Sequence, residues 1–145
     1  MAAADGSAVI NNVSNGNGRG IVLRDCVSCF VVENQTHDDR SDGVRIDDAE
    51  LTDVVAAASN GNGGLGFRID DAPSIAVVGN EPDLNGSDGL RIDDRPGSAV
   101  EDNNADDNDD YGMRVGDSPP TAIQDLIDAG NTASGNGLGD LRVDP

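Results

Sequence analysis

The sequence predicts an all-β solenoid of about six coils in which short strands stack in parallel, and three observations predict it. A short segment recurs every 23 residues, as Gly43-Val44-Arg45-Ile46-Asp47-Asp48, Gly66-Phe67-Arg68-Ile69-Asp70-Asp71, Gly89-Leu90-Arg91-Ile92-Asp93-Asp94 and Gly112-Met113-Arg114-Val115-Gly116-Asp117. Within each copy the apolar residues take every second position, the period of a strand with one buried face. Between copies lie clusters such as Asn60-Gly61-Asn62-Gly63-Gly64 and Asn85-Gly86-Ser87-Asp88, whose residue types suit tight turns.

The elements follow in order along the chain. Residues 1–10 are expected to form an N-terminal cap or tail, and the whole of 1–145 a single β-helix domain. One interval before Gly43 stands Gly20-Ile21-Val22-Leu23-Arg24-Asp25, the first copy. The last, Asp140-Leu141-Arg142-Val143-Asp144, comes 28 residues after the previous one, so five extra residues are expected as an insertion in 123–130. A second apolar column contains Val31, Val54, Val77, Val100 and Ile123. A third column holds Asn34, Asn80 and Asn103, with Asn11 before it, Asn131 after it and Ala57 as its one break. Stacked amides can hydrogen-bond one another and saturate the backbone at a bend, which makes this column structural.

A repeat of this length admits several architectures. Leucine-rich repeats need several Leu per unit, and here Leu is scattered. Helical repeats need a period near 3.6 and good helix formers, whereas this chain is built of Gly, Asn, Asp and Val. The texture resembles the right-handed parallel β-helix repeats of the pectin-lyase-like superfamily, from about Ile10 to Val143. That resemblance implies the fold and leaves the chemistry open.

Composition narrows the partners. There are 28 Asp+Glu against 9 Lys+Arg, a formal charge of -19, and every cation is Arg. Such a surface argues against reading nucleic-acid phosphates. No run of 18 apolar residues exists to span a membrane. The acidic, Lys-free composition resembles that of proteins from halophilic microbes and their viruses, because concentrated salt screens self-repulsion.

The outward side of the repeated strand carries an Arg column, Arg45, Arg68, Arg91, Arg114 and Arg142, and an Asp column, Asp47, Asp70, Asp93 and Asp144. Stacked like charges repel, so an Arg–Asp network holding the coils together is expected. The same polar face is a candidate platform for a glycan or another partner. Asp48, Asp71, Asp94 and Asp117 form a second acidic column at the adjoining turn. Calcium is a possible cofactor at Asp106, Asn108 and Asp110, whose alternate spacing resembles a calcium loop, with Asp117 as a further ligand; Tyr111 stands where that loop needs Gly.

Cys26 and Cys29 form a lone C-x-x-C without further zinc ligands beyond His37, and are expected to be core thiols. The galacturonase-like motifs N-T-D, G-H-G and R-I-K are absent. Arg and Asp recur coil after coil, as ladders do and catalytic sites do not. The expected function is therefore a non-catalytic structural or adhesive subunit of a virion spike, turret or tail, or of a cell-surface filament. A polysaccharide lyase or glycoside hydrolase is the alternative. The last coil carries Leu141 and Val143 without a polar cap, so a neighbour is expected there, as a homo-oligomer, with a trimer among the options, or as another subunit. The N-terminus shows no secretory signal. Localisation on a virion or an extracellular surface is expected, with the cytoplasm left open.

Overall fold

Because the polar and apolar positions alternate over only three to seven residues before a turn, each strand is short and its hydrogen bonds must be made to neighbouring coils. The computed structural model describes residues 5–93, 98–116 and 127–144. Its strands are β1 (Ala8–Ile10), β2 (Val13–Asn15), β3 (Ile21–Val27), β4 (Phe30–Val32), β5 (Gln35–His37), β6 (Val44–Glu50), β7 (Asp53–Val55) and β8 (Ala58–Asn60). They continue as β9 (Phe67–Asp70), β10 (Ala76–Val78), β11 (Leu90–Ile92), β12 (Ala99–Glu101), β13 (Asn104–Asp106), β14 (Tyr111–Val115), β15 (Thr132–Ser134) and β16 (Gly139–Val143).

The coils contribute short strands to three faces, and every pairing among the described residues is parallel. The long sheet has the order β16-β14-β11-β9-β6-β3, with Val44, Phe67, Leu90, Met113 and Leu141 in one column. The valine sheet runs β1-β4-β7-β10-β12, and Val9, Val31, Val54, Val77 and Val100 stand in register along it. The third face is divided into β2-β5-β8 and β13-β15. Only a single bridge, Ala58 to Glu81, continues it through the intervening coil, where Pro82 has no N–H to give to a ladder.

The inward columns meet in a narrow core. Val31, Val54, Val77, Val44, Ile46, Phe67, Ile69, Leu90, Ile92, Met113 and Val115 are all fully buried. Phe67 is the bulkiest of them.

Left-handed backbone residues turn the chain at the corners. One such column is Asn11, Glu33, Ala56, Gly79, Asp102 and Gly130; another is Gly16, Asp38, Gly61, Leu84, Asp107 and Gly135. Asp25, Asp48 and Asp71 make a third. Asp tolerates this conformation better than most residues, which explains the acidic turn column without invoking a ligand; Asp94 and Asp117 of that column lie outside the described residues. Leu84, with φ 58°, is poorly suited to its place. Left-handed geometry costs an ordinary L-residue about 1–2 kcal/mol, and Leu84 is exposed. Leu84→Asn should therefore raise the thermal midpoint by about 2–4 °C, equivalent to ~1 kcal/mol.

Immediately after the first two corner columns, the chain points an amide inward. The first ladder contains Asn12–Asn34 and, beyond Ala57, Asn80–Asn103–Asn131, linked by side-chain bonds of 3.0–3.1 Å. Asn12, rather than Asn11, enters it because the first coil is one residue shorter, pairing Ala8 with Phe30 and Val13 with Gln35. Asn11 is the corner residue before it, with φ 54°. A second ladder, Asn62–Asn85–Asn108–Asn136, runs parallel to the first with links of 3.0–3.1 Å. Its approach to the repeated glycine accounts for that residue: a Cβ at Gly66 would lie 2.7 Å from Asn85 Nδ2 and 2.6 Å from Gly89 O.

The cysteines occupy the expected core positions but are not free thiols. Cys26 and Cys29 form a disulfide across the corner at Ser28, both sulfurs being buried. The register passes from 23 residues between β11 and β14 to 28 between β13 and β15, so the extra residues of the final coil fall after Val115 and before Thr132. Most of that stretch, including Ile123, lies outside the described residues.

Candidate functional site

The polar face of the long sheet is assembled by strand alternation. When Val44 and Ile46 point inward, Arg45 and Asp47 must point outward, and the same holds in each later coil. Arg45, Arg68, Arg91, Arg114 and Arg142 are register partners in sequence, one per coil.

The ion pairs lie mostly within a coil. Arg45 Nε meets Asp47 at 2.9 Å, Arg68 Nε meets Asp70 at 2.7 Å, and Arg91 Nη2 meets Asp93 at 2.7 Å. Contrary to the expected network holding coils together, only two ion pairs among the described residues cross between coils, and each does so where the repeat lacks its usual acid. Arg24 occupies the Asp column of the first copy and reaches Asp47 at 3.0 Å. Gly116 replaces the acid that would serve Arg114, which turns instead to Asp144, shared with Arg142. Two guanidiniums hold the Asp144 carboxyl below its usual range, Arg114 contributing first and Arg142 second. The hydrogen bond to Asp47 correspondingly holds the Arg45 guanidinium above its ordinary value. Arg142 also donates from Nη1 to the Tyr111 hydroxyl at 2.8 Å and lies over that ring, 5.0 Å from its centre.

The Arg45–Asp47, Arg68–Asp70 and Arg91–Asp93 pairs are partly exposed, so each is worth only a fraction of a kcal/mol to about 1 kcal/mol. Their consequence is chemical display. The guanidiniums of Arg45, Arg68 and Arg114 commit Nε to a carboxylate, and their Nη groups have no acceptor among the described residues. The face thus presents a row of outward donors at a spacing of about 4.8 Å, flanked by a row of carboxylate acceptors.

The described members of the calcium set, Asp106, Asn108 and Asp110, do not converge on one point. Asp106 lies outward on β13, where its oxygens accept from Ser134 Oγ at 2.8 Å and Asn104 Nδ2 at 3.0 Å. Asp107, at φ 56°, reverses the direction of the next side chain. Asn108 consequently points into the core, where its Oδ1 accepts from both Asn85 N and Asn85 Nδ2 at 3.0 Å. Asp110 accepts from Ser87 Oγ at 3.0 Å. Asp117 lies outside the described residues. Among those residues there is no cluster of three or more His, Cys, Asp or Glu able to hold a metal.

Sequence reasoning missed the second amide ladder because Asn62 and Asn85 resemble ordinary turn material. Their signal was the recurrence Asn62, Asn85, Asn108 at the repeat interval. Two carboxylates beside it are perturbed by burial. Desolvation raises both Asp83 and Asp88, against hydrogen bonds from the Asp106 and Tyr111 backbone amides that lower them. A raised carboxyl stabilises the fold below its unfolded value, and that contribution is lost as pH rises through the folded value. Asn60 occupies the preceding place in the Asp83 column and accepts the Asp83 N–H in the same manner. Asp83→Asn should therefore increase stability at pH 7 by no more than about 1 kcal/mol after solvent screening. Unfolding curves across pH should show the gain disappearing below about pH 4.

A parallel solenoid with two internal amide ladders and one ion-paired face is a repeat scaffold. The chain belongs to the right-handed β-helix family, whose model matches residues 2–140. The solved structure of a periplasmic alginate epimerase, AlgG, crystallised as a mutant, matches with TM-score 0.80 and 18% identity. The match covers 97% of this chain and 38% of that one, so the likeness is one of fold. No curated protein matches the chain in sequence.

Proposed function

We propose that the chain is a non-catalytic structural or adhesive β-helix module of a larger surface assembly, a virion component or a cell-surface filament, with a glycan-contacting Arg–Asp face. The observation that carries this reading is the equivalence of the rungs. Arg45–Asp47, Arg68–Asp70 and Arg91–Asp93 repeat one chemical unit, as a ladder does, and at the rung that departs from it the Arg114 guanidinium is held by Asp144. Alternating guanidinium donors and carboxylate acceptors match the hydroxyls of an extended sugar chain.

The buried disulfide supports maturation in an oxidising compartment. The charge of -19 supports a high-salt setting, since like charges are separated by more than a Debye length only when salt is concentrated.

The test is to incubate the protein with alginates, pectins and neutral glycans while following both binding and turnover. Binding weakened at least tenfold by Arg68→Gln with Arg91→Gln, without release of reducing or unsaturated ends, is the expected result. Turnover or epimerisation of any of these polymers would replace this proposal with the polysaccharide-active enzyme. Circular dichroism should also show a higher unfolding midpoint at about 3 M than at about 0.05 M NaCl; equal midpoints would remove the high-salt component.

A further inference from the structure

The three outer faces of the solenoid differ in chemistry. The long sheet displays Arg and Asp, and the third face displays Gln35, His37, Asn60, Asp83, Asn104 and Asp106 along its outward positions. The valine sheet displays something else. In β1, β4, β7, β10 and β12 the central residue is inward, so the first and third residues point out. One outward column is Ile10, Val32, Val55, Val78 and Glu101; the other is Ala8, Phe30, Asp53, Ala76 and Ala99. Eight of these ten residues are apolar, on a chain with a charge of -19. Ile10 is 49% exposed and Phe30 42%, so the face opens to solvent.

We propose that the outer side of the valine sheet is a lateral pairing face for a second copy of this chain. Charge selects the occupant first. A cationic partner would be drawn to the acidic corners and the third face, and two copies meeting through those surfaces would set like charges together, which is unfavourable. The valine sheet is the face through which two copies can approach with only Asp53 and Glu101 between them. Pitch selects it second. The branched side chains Ile10, Val32, Val55 and Val78 make a ridge, with Ala76 and Ala99 forming a shallower row beside it. The ridge repeats every ~4.8 Å along the axis over four strands, to Val78, before Glu101 ends it, so another rod of the same pitch can set its own ridge beside this one over those four strands. A hollow of about 150 Å³ lined by Ala56, Ala57, Ala58, Gly79 and Glu81 borders the same face and offers a seat for a projecting side chain.

Area sets the strength. Five strands of three residues cover about 24 by 10 Å, on the order of 250 Å² per copy, against about 800 Å² per partner in a standard stable interface. The pairing is therefore weak and reversible, and it strengthens with salt as self-repulsion is screened. This inference deepens the scaffold proposal by supplying its lateral contact. It is tested separately, because self-association is measured without any glycan.

Sedimentation equilibrium of the whole chain at about 3 M NaCl should give an average mass rising with concentration from 14.8 kDa towards twice that value. Val55→Glu should lower the association constant at least tenfold. Should that variant fail to fold by circular dichroism, the gentler pair Val55→Thr with Val78→Thr should still lower it severalfold. Gln35→Glu, which adds one charge on the third face, should leave it unchanged. Wild-type protein that stays monomeric at high concentration and high salt would overturn the proposal. So would self-association indifferent to both valine-sheet variants, or co-flotation with neutral lipid vesicles that Val55→Glu abolishes while the mass stays monomeric.

Discussion

Asn103→Ala should destabilise the protein by about 3–5 kcal/mol and lower its thermal midpoint by ~10 °C or more. The Asn103 Oδ1 accepts from Asn80 N at 2.9 Å and from Asn80 Nδ2 at 3.0 Å. Its Nδ2 donates to Val77 O at 2.9 Å and Asn131 Oδ1 at 3.0 Å. Truncation removes all four bonds and takes the ladder acceptor from a buried N–H and the ladder donor from a carbonyl. Each orphaned group costs about 1–3 kcal/mol, and no water can replace the amide without a cavity for it. Native Ala57 supplies an internal control. Its own N–H still donates to Asn80 Oδ1 at 3.0 Å, so the backbone there has ladder geometry. Only the side chain is missing, which leaves the Asn34 N–H without the acceptor its equivalents have. Ala57→Asn is thus expected to act in the opposite direction, raising stability by about 1 kcal/mol. Calorimetry on both variants checks the pair, and equal effects of the same sign would refute the ladder account.

Phe67→Ala should cost about 3–5 kcal/mol by loss of burial and creation of a cavity. Phe67 is fully buried in the middle of the column Val44–Phe67–Leu90. Parallel coils held at fixed spacing by backbone bonds cannot collapse inward to refill the space. Phe67→Leu, which imitates Leu90 in the next coil, should cost much less, about 1–1.5 kcal/mol. Urea titration separates these cases: a midpoint change with unchanged slope is the expected form. A total stability of about 5–15 kcal/mol makes either large loss readily measured.

Much of the architecture was legible because a solenoid repeats its instructions. The 23-residue interval placed Val31, Val54, Val77 and Val100 in one column, and all four are now register partners. Arg45, Arg68, Arg91 and Arg114 were likewise placed on one face. The errors fall where one residue changes direction or length. Asn11 and Asn12 exchange roles because the first coil is short. Asn108 turns inward because Asp107 is left-handed, and spacing along the chain carries no sign of that reversal. The disulfide depends on two buried columns meeting across a corner.

Periodicity by itself determined the strands, their parallel stacking and the alternation of inward and outward side chains, because each depends on local spacing and on neighbours one repeat away. The tertiary structure decided which acid each guanidinium takes, which amides form the second ladder and which outer face is left apolar. Those outcomes depend on corner geometry. A single left-handed residue redirects every side chain after it, and only the closed coil shows where the redirected chain arrives.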